Sequence, residues 1–577
     1  MKINNSFLII LLVLLGDCSI VFGQNPLFIP PTLTGTNFNL NVQTGFQNFY
    51  PANPTPTYGI NGAFLSPTII VNKGDVVTLN VNNGLNVATT MHWHGLHVSA
   101  MNDGGPHQII PPATTWSPSF EILNNAGTFW YHPHGDGKTE LHVSKGLAGM
   151  FIIHDPAELA AGLPQEYGVD DIPLIVQTKA FDVLTQIAIA DHMDTAIFVN
   201  GTLNASFTVP SQVVRFRLLN GSSMRSYNFG FSNDMVFYQI ATDGGLRETP
   251  LPLTRLMLSP GERCEILVDF STMIGQNIDF MSFASEMPWG VFGGPGVGVG
   301  MDTIHEYSDN SLNNADFNLV QLTVGAQTAS PITSIPSTLV PFVPLNPVVF
   351  DMERTLILDS LRLLPTNEPS LAEGPFGING VTFHMDTINI KIPLNNTEIW
   401  TLVNNTHIAH PFHIHDILFN VIEKSGVTPP LYEQGWKDVV LVLPHDSVKF
   451  ITKFTTFADE MTPYMYHCHL LHHEDDGMMG TFIVYDPLAI DEIEQASIVS
   501  VKPNPTSDIW NLEISESVVD FSARLFSVDG QLVRTFDKTD IVNQSLLIPT
   551  YNLSNGMYHM DLEVNSKILK VKLLKAD

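Results

Sequence analysis

Residues 467–478 read His-Cys-His-Leu-Leu-His-His-Glu-Asp-Asp-Gly-Met. Alternate side chains of a strand point to opposite faces. A strand entering this stretch therefore turns Cys468 one way and His467 and His469 the other. One short segment then serves a thiolate-ligated metal on one side and imidazole-ligated metals on the other. Cysteine, histidine and a weak methionine, here Cys468, His473 and Met478, form a donor set suited to an electron-transfer copper. Such a placement wires that copper to a second metal site through two or three covalently linked residues.

The segment has three companions: His92-Trp93-His94-Gly95, His132-Pro133-His134 and His410-Pro411-Phe412-His413-Ile414-His415. An HxH on a strand puts both imidazoles on one face. Meeting in space, the four segments supply eight histidines, enough for three coppers. His410 is left over and completes the set of Cys468, His473 and Met478.

In order and spacing (HxHG, HxH, HxxHxH, HCHxxxHxxxGM) the four segments resemble those of the multicopper oxidases. Asn102-Asp103-Gly104-Gly105-Pro106, Gly137-Lys138-Thr139, Gly146-Leu147-Ala148-Gly149-Met150 and Pro260-Gly261-Glu262-Arg263 look like the bacterial laccase-like and cuprous-oxidase branch. The resemblance spans residues 45–487. It implies four copper ions. His410, Cys468 and His473 would hold a type 1 copper, with Met478 rather than Met479 as axial ligand, which lowers the potential relative to an apolar residue. His92 and His413 would hold a type 2 copper. His94, His132, His134, His415, His467 and His469 would hold a type 3 pair.

The implied reaction takes single electrons from a reducing substrate near His473, passes them through Cys468 to His467 and His469, and reduces dioxygen to two waters. Reducing oxygen consumes protons, and Asp103 matches a family acid with that role. At the position just before the second type 1 histidine, where relatives are expected to carry a glutamate, this chain has His472, which can still relay protons near neutral pH. Cys468, Asp103 and His472 are therefore the candidate catalytic residues.

The expected substrates are phenols or aromatic amines, as for a laccase. The alternatives are a cuprous oxidase serving copper tolerance and a bilirubin-oxidase-like enzyme. Cuprous oxidases often carry a methionine-rich insert, since thioethers favour Cu(I). The 20 methionines here are scattered, and residues 290–300 form a glycine-rich loop in the expected insert region, either a lid over the substrate site or a surface connection. A non-enzymatic binding protein of this fold would lack ligands, whereas all twelve positions are filled. A copper nitrite reductase is disfavoured because HCH with paired HxH specifies a type 3 pair.

The elements that must position these residues are strands. Helical periodicity is scarce, and short Val-, Ile- and Thr-rich runs (68–71, 76–81, 213–219, 265–269, 398–403, 439–443) recur between Gly, Pro and Asn turns, the pattern of an all-β sandwich protein. A chain of 577 residues is long enough for three or four domains. The expected fold is three cupredoxin-like Greek-key β-sandwich domains at 38–155, 168–324 and 349–485, joined by a proline-rich linker at 330–347. The middle domain, which holds no ligand segment, serves as a spacer in the family. Asn61-Gly62, Asn200-Gly201 and Asn379-Gly380 form an internal echo, each before a strand pair.

Residues 488–577 differ. Lys502-Pro503-Asn504-Pro505, Asp529-Gly530-Gln531, Leu553-Ser554-Asn555-Gly556-Met557-Tyr558 and the basic, apolar end 567–575 resemble the C-terminal sorting domain of type IX secretion substrates, a small β-sandwich at 499–577. That implies the type IX secretion machinery as a partner and export through the periplasm to the surface or medium. Residues 1–23 read as a signal peptide: Lys2, an apolar run at 7–15, and Val21-Phe22-Gly23 before Gln24. Cys18 raises a lipoprotein alternative that Asp17 before it disfavours. No stable membrane span is expected. Cys264 reads as a buried free thiol, so the mature chain has no expected disulfide. The net charge of −31 argues against nucleic acid or an anionic membrane surface as a partner and suits cationic or neutral substrates.

Overall fold

The computed structural model describes residues 25–576 apart from 52, 190, 300–301, 305–306, 365, 368, 488–497, 516, 528–530 and 566. The signal sequence expected at 1–23, with Cys18, lies outside the described residues, as do Asp529 and Gly530 of the C-terminal motif. The chain divides into two compact units, residues 1–484 and 485–577. Strands hold 48% of the residues and helices 6%, so almost every functional side chain is positioned by a sheet or by the turn leaving one.

The larger unit contains three pairs of sheets, the cupredoxin-like architecture expected. Residues 32–154 supply one pair, with strand Asn37–Gln47 central to one sheet and His92–His94 and Gly127–His132 adjacent in the other. Asn37–Gln47 shows why a sandwich forms. Phe38, Leu40 and Val42 are buried, while Asn39 and Asn41 between them face solvent, the period of a strand with one wet face. The middle pair spans residues 171–325 and also recruits Asn25–Pro26 at its edge. The third pair spans residues 352–485. Each pair has its own apolar core. The six runs named from sequence all fall on strands, the last of which ends one residue earlier, at Val442. In the linker, Ile332, Ile335, Leu339 and Val340 pack on the middle pair.

The Asn-Gly echo is structural. Asn61, Asn200 and Asn379 all take positive φ (54°, 49° and 56°), which asparagine tolerates at a turn. Each accepts a backbone N–H on its side-chain oxygen: from Asn41 (2.9 Å), Ile175 (2.8 Å) and Ile357 (2.8 Å). Each also donates its own N–H to the carbonyl of that same residue. The same corner is built three times.

Strand Val213–Asn220 of the middle pair is buried on both faces. Arg215 and Arg217, on strand Val213–Asn220, alternate with the core residues Val214, Phe216 and Leu218. Arg215 meets Glu265 and Glu158 at 2.5 Å, and Arg217 meets Asp171 at 2.8 Å, Glu265 at 2.9 Å and Thr128 of the first pair at 3.0 Å. Removing one member would leave a buried charge unpaired, which costs about 3–5 kcal/mol. Cys264 is a buried free thiol whose Sγ lies 3.1 Å from the Ala241 carbonyl. Among the described residues no helix is long and apolar enough to cross a membrane.

The smaller unit has a three-stranded and a four-stranded sheet around Trp510, Leu512, Leu525, Ile548 and Met560.

Candidate metal centres

Strand His410–Ile414 pairs antiparallel with Asp459–Cys468, placing Phe412 opposite Cys468 and His413 opposite His467. Residues paired across a sheet share a face. His410 and Cys468 therefore lie on one side, and His413, His415 and His467 on the other. His469 follows the strand's end and rejoins His467's side.

On the first side, Cys468 Sγ lies 3.5 Å from His410 Nδ1 and 3.7 Å from His473 Nδ1, with the two nitrogens 3.3 Å apart. His410 Nε2 is hydrogen-bonded to Thr406 Oγ1 at 2.8 Å, leaving Nδ1 toward the sulfur. The Phe376 ring packs 4.5 Å from that of His473 and 5.0 Å from that of His410. Met478 is fully buried in the same apolar cluster. It is tethered by its N–H to the His473 carbonyl and by its carbonyl to the Cys468 N–H. Burial pushes the Cys468 thiol up and holds His410 down at about 3. A soft cation would offset the cost of burying the thiolate, and a His410 imidazole held neutral by burial already offers the lone pair such a cation needs.

On the second side, eight buried histidines converge. The Nε2 atoms of His134 and His467 are 3.1 Å apart, and those of His415 and His467 are 3.4 Å apart. His94 Nδ1 lies 3.4 Å from His132 Nε2, and His469 brings a nitrogen within 4.8 Å of this pair. His92 and His413 flank His94 at similar range. The outward nitrogens face acceptors. Nδ1 of His92, His132, His413 and His467 meets the carbonyls of Asp103, Pro133, Asp438 and Cys468 at 2.8–3.0 Å. Nδ1 of His415 meets Asp103 Oδ2 at 2.7 Å, and His94 Nε2 meets Asp438 Oδ1 at 3.2 Å. With the outward nitrogens donating, the inward ones carry lone pairs. Nε2 of His92 and His413 and both nitrogens of His469 are buried with no hydrogen-bond partner. Lone pairs converging without donors fit metal cations, and imidazole donors fit copper.

Each candidate histidine and Cys468 thus falls in one of the two clusters, and Met478 lies in the apolar core that holds Cys468. The first sandwich supplies His92, His94, His132 and His134; the third supplies the rest. Asp103 is buried at the end of helix Ala100–Asp103, with its Oδ1 3.3 Å from His92 Nδ1. The chain must reverse there: Gly104 has φ 84°, and a Cβ on it would lie 1.7 Å from the Met91 carbonyl oxygen. His472 is a third exposed and faces away from the eight histidines, with Nδ1 3.4 Å from Glu140 Oε2 and Nε2 3.8 Å from Asp476. An acid on the same helix does reach them: Glu474 is fully buried, with Oε2 3.2 Å from His467 Nδ1 and Oε1 3.5 Å from His134 Nδ1. Burial opposes its charge, but His134 and His467 hold it below the usual carboxylate range. Successive residues of helix Leu471–Asp475 point about 100° apart, so His473 and Glu474 serve different clusters. Glu474 lay within the quoted motif, yet nothing in its spacing marked it.

A cavity of about 440 Å³ opens beside His473, walled by Phe292, Ile304, Phe376 and Ile408 and rimmed by Arg362, Glu373, His472 and Asp476. Residues 290–297 of the glycine-rich loop are a packed wall: Val291 and Phe292 are buried, and the Tyr307 hydroxyl binds the Gly294 carbonyl at 2.5 Å.

Residues 41–158 and 358–487 each match the family described as multicopper oxidase, and residues 500–576 match the secretion system C-terminal sorting domain. The chain is 32% identical over 453 residues to "Multicopper oxidase mco" of Staphylococcus haemolyticus, covering 77% of this chain and 87% of that one. It is also 32% identical over 467 residues to "Cell division protein FtsP" of Sodalis glossinidius, covering 79% and 91%. Among solved structures it is similar to the laccase-like multicopper oxidase CueO of Ochrobactrum sp., described with oxidase activity towards lignin model compounds and lignosulfonate. The TM-score is 0.69 at 32% identity, with 80% of this chain and 100% of that chain covered. The McoA multicopper oxidase of Aquifex aeolicus gives 0.69 at 30%, with the same coverage.

Proposed function

The chain belongs to the multicopper oxidase family, and from that premise we propose a laccase-like oxidase of phenols or aromatic amines that holds four coppers. The observation carrying the reading is the pair of clusters with every candidate ligand present, one of them bordering a cavity with aromatic and aliphatic walls and a charged rim. His410, Cys468, His473 and Met478 would hold one ion, His92 and His413 a second, and the remaining six histidines a pair. Bound copper supplies the one-electron redox chemistry and the reduction of dioxygen. His473 presents its edge to the cavity and so receives the reductant. Cys468 is covalently continuous with His467 and His469, which ties the two clusters together. Asp103 and Glu474, each within 3.5 Å of cluster imidazoles, are placed to relay protons to where dioxygen is consumed. His472 serves the cavity instead, taking a proton from a phenol as its electron leaves.

The phenyl and aliphatic walls favour an organic ring, and the cavity volume suits a small aromatic. A cuprous-oxidase reading draws on Met224, a thioether lining the same cavity, beside the carboxylates Glu373 and Asp476. The likeness to the Sodalis protein keeps a non-enzymatic role as the remote alternative, which the filled ligand positions oppose. The sorting domain supports export by the type IX machinery, to the surface or the medium.

The test is oxygen uptake by the copper-loaded chain beginning at Gln24, with a methoxyphenol and with Cu(I) as reductants. Strong uptake with the phenol and little with Cu(I) is expected. The reverse makes this a copper-tolerance oxidase. No uptake with either at full copper occupancy removes both.

A further inference from the structure

We propose that Arg263, from the middle sandwich that contributes no histidine, is a positioning residue for the eight-histidine cluster: through Asp438 it fixes which ring nitrogen His94 presents. The inference rests on the copper reading above. Arg263 is fully buried at the head of strand Arg263–Asp269. All five of its N–H donors find acceptors. Nε donates to the Thr128 carbonyl (3.2 Å), NH1 to the Gly261 carbonyl (3.1 Å) and NH2 to the Asp243 carbonyl (3.0 Å). The other two donate to Asp438 Oδ1 and Oδ2, both at 2.6 Å. A guanidinium so fully engaged cannot rotate, and its bidentate grip fixes the carboxylate plane.

Asp438 then contacts the cluster twice. Its Oδ1 lies 3.2 Å from His94 Nε2, and its backbone carbonyl accepts from His413 Nδ1 at 2.8 Å. His94 is the exception among the oriented imidazoles. His92, His132, His413, His415 and His467 turn Nδ1 outward, whereas His94 turns Nε2 outward and aims Nδ1 at His132. Asp438 is the acceptor that holds that reversed ring.

Two glycines show how closely the middle sandwich approaches. A Cβ on Gly95, the residue after His94, would lie 2.3 Å from Asp438 Oδ2 and 2.7 Å from Arg263 NH2. A Cβ on Gly261 would lie 2.9 Å from the His469 ring. The glycine of HxHG and that of Pro-Gly-Glu-Arg are thus accounted for by one assembly, in which the supposed spacer forms a wall of the metal site.

The experiment compares Arg263→Lys, Arg263→Met and Asp438→Asn with Arg217→Met, which breaks the other buried arginine network without touching any of the eight clustered histidines. Total copper, the EPR-visible share of that copper, the thermal midpoint and oxygen uptake are measured on the copper-loaded chain. The Arg263 and Asp438 variants should keep the blue absorption of the Cys468 site. Their EPR-visible share should rise as the spin-paired ions separate, and oxygen uptake should fall about tenfold or more with substrate KM unchanged. Arg217→Met should lower the thermal midpoint and leave the EPR-visible share alone. Arg263 variants with a native EPR-visible share and native uptake overturn the proposal, as does an equal rise in Arg217→Met. Should the unmodified chain hold no EPR-silent copper, the copper reading falls first and takes the inference with it.

Discussion

The two clusters sit back to back across Cys468, yet their surroundings are opposite in kind. Around Cys468 the neighbours are Phe376, Leu470 and Met478, and among the described residues no carboxylate hydrogen-bonds to its histidines. Around the eight histidines stand three buried carboxylates, Asp103, Asp438 and Glu474. An apolar frame suits a centre that exchanges only electrons, because few polar groups must reorient when its charge changes. A frame of acids suits a centre that must be fed protons and must hold many rings in fixed tautomers. The chemistry of each side is thus written in what surrounds the ligands as much as in the ligands.

Four substitutions probe that division. Cys468→Ser should have the largest effect. It should abolish the blue absorption and reduce phenol-driven oxygen uptake to background, while metal analysis still finds copper on the eight histidines; loss of all copper together would mean that the two sides are not separable. Next, Asp103→Asn or Glu474→Gln should slow oxygen uptake about 100-fold. Anaerobic bleaching of the blue band by substrate, followed by stopped flow, should keep its native rate, and a slowed bleaching would show the acids acting on both sides. The smallest effect belongs to the cavity rim, where Glu373 pairs with the guanidinium of Arg362. Glu373→Gln frees that cation and leaves Asp476 as the one carboxylate among the rim residues. KM for an anionic, sulfonated reductant should fall several-fold and KM for a cationic aromatic amine should rise, with kcat unchanged, as rim charges steer encounter more than chemistry.

What could be read from the sequence follows the same division. The candidate ligands come in short segments whose spacing is set by the strand period, so His92 with His94, or His410 against His413, carries its geometry within a few residues. The sheets were legible for the same reason: Phe38, Leu40 and Val42 alternate with asparagines. The supporting acids were harder. Asp103 stood out only by resemblance. Asp438 and Arg263 act through partners about 175 and 344 positions away, and no local pattern announces such a pairing. Glu474 was masked by its own neighbours, because a helical turn decides which side it faces. His472 could be located, but its direction, toward Glu140 and the cavity, depends on a helix from another sandwich.

The origin of the histidines has a consequence for when the protein can be loaded. Half come from residues 92–134 and half from 413–469, so a growing chain carries the first four long before their partners exist. Until the last strand of the larger unit is in place, each half offers an ion two or three imidazoles on a surface open to water, and competing thiols or chelators would strip it. Only closure of the third sandwich onto the first makes the exchange slow. Filling of the eight-histidine cluster would therefore come at the end of assembly: a chain whose first and third sandwiches have not met would leave that cluster empty, even where the Cys468 site, built from the third sandwich alone, could already take an ion.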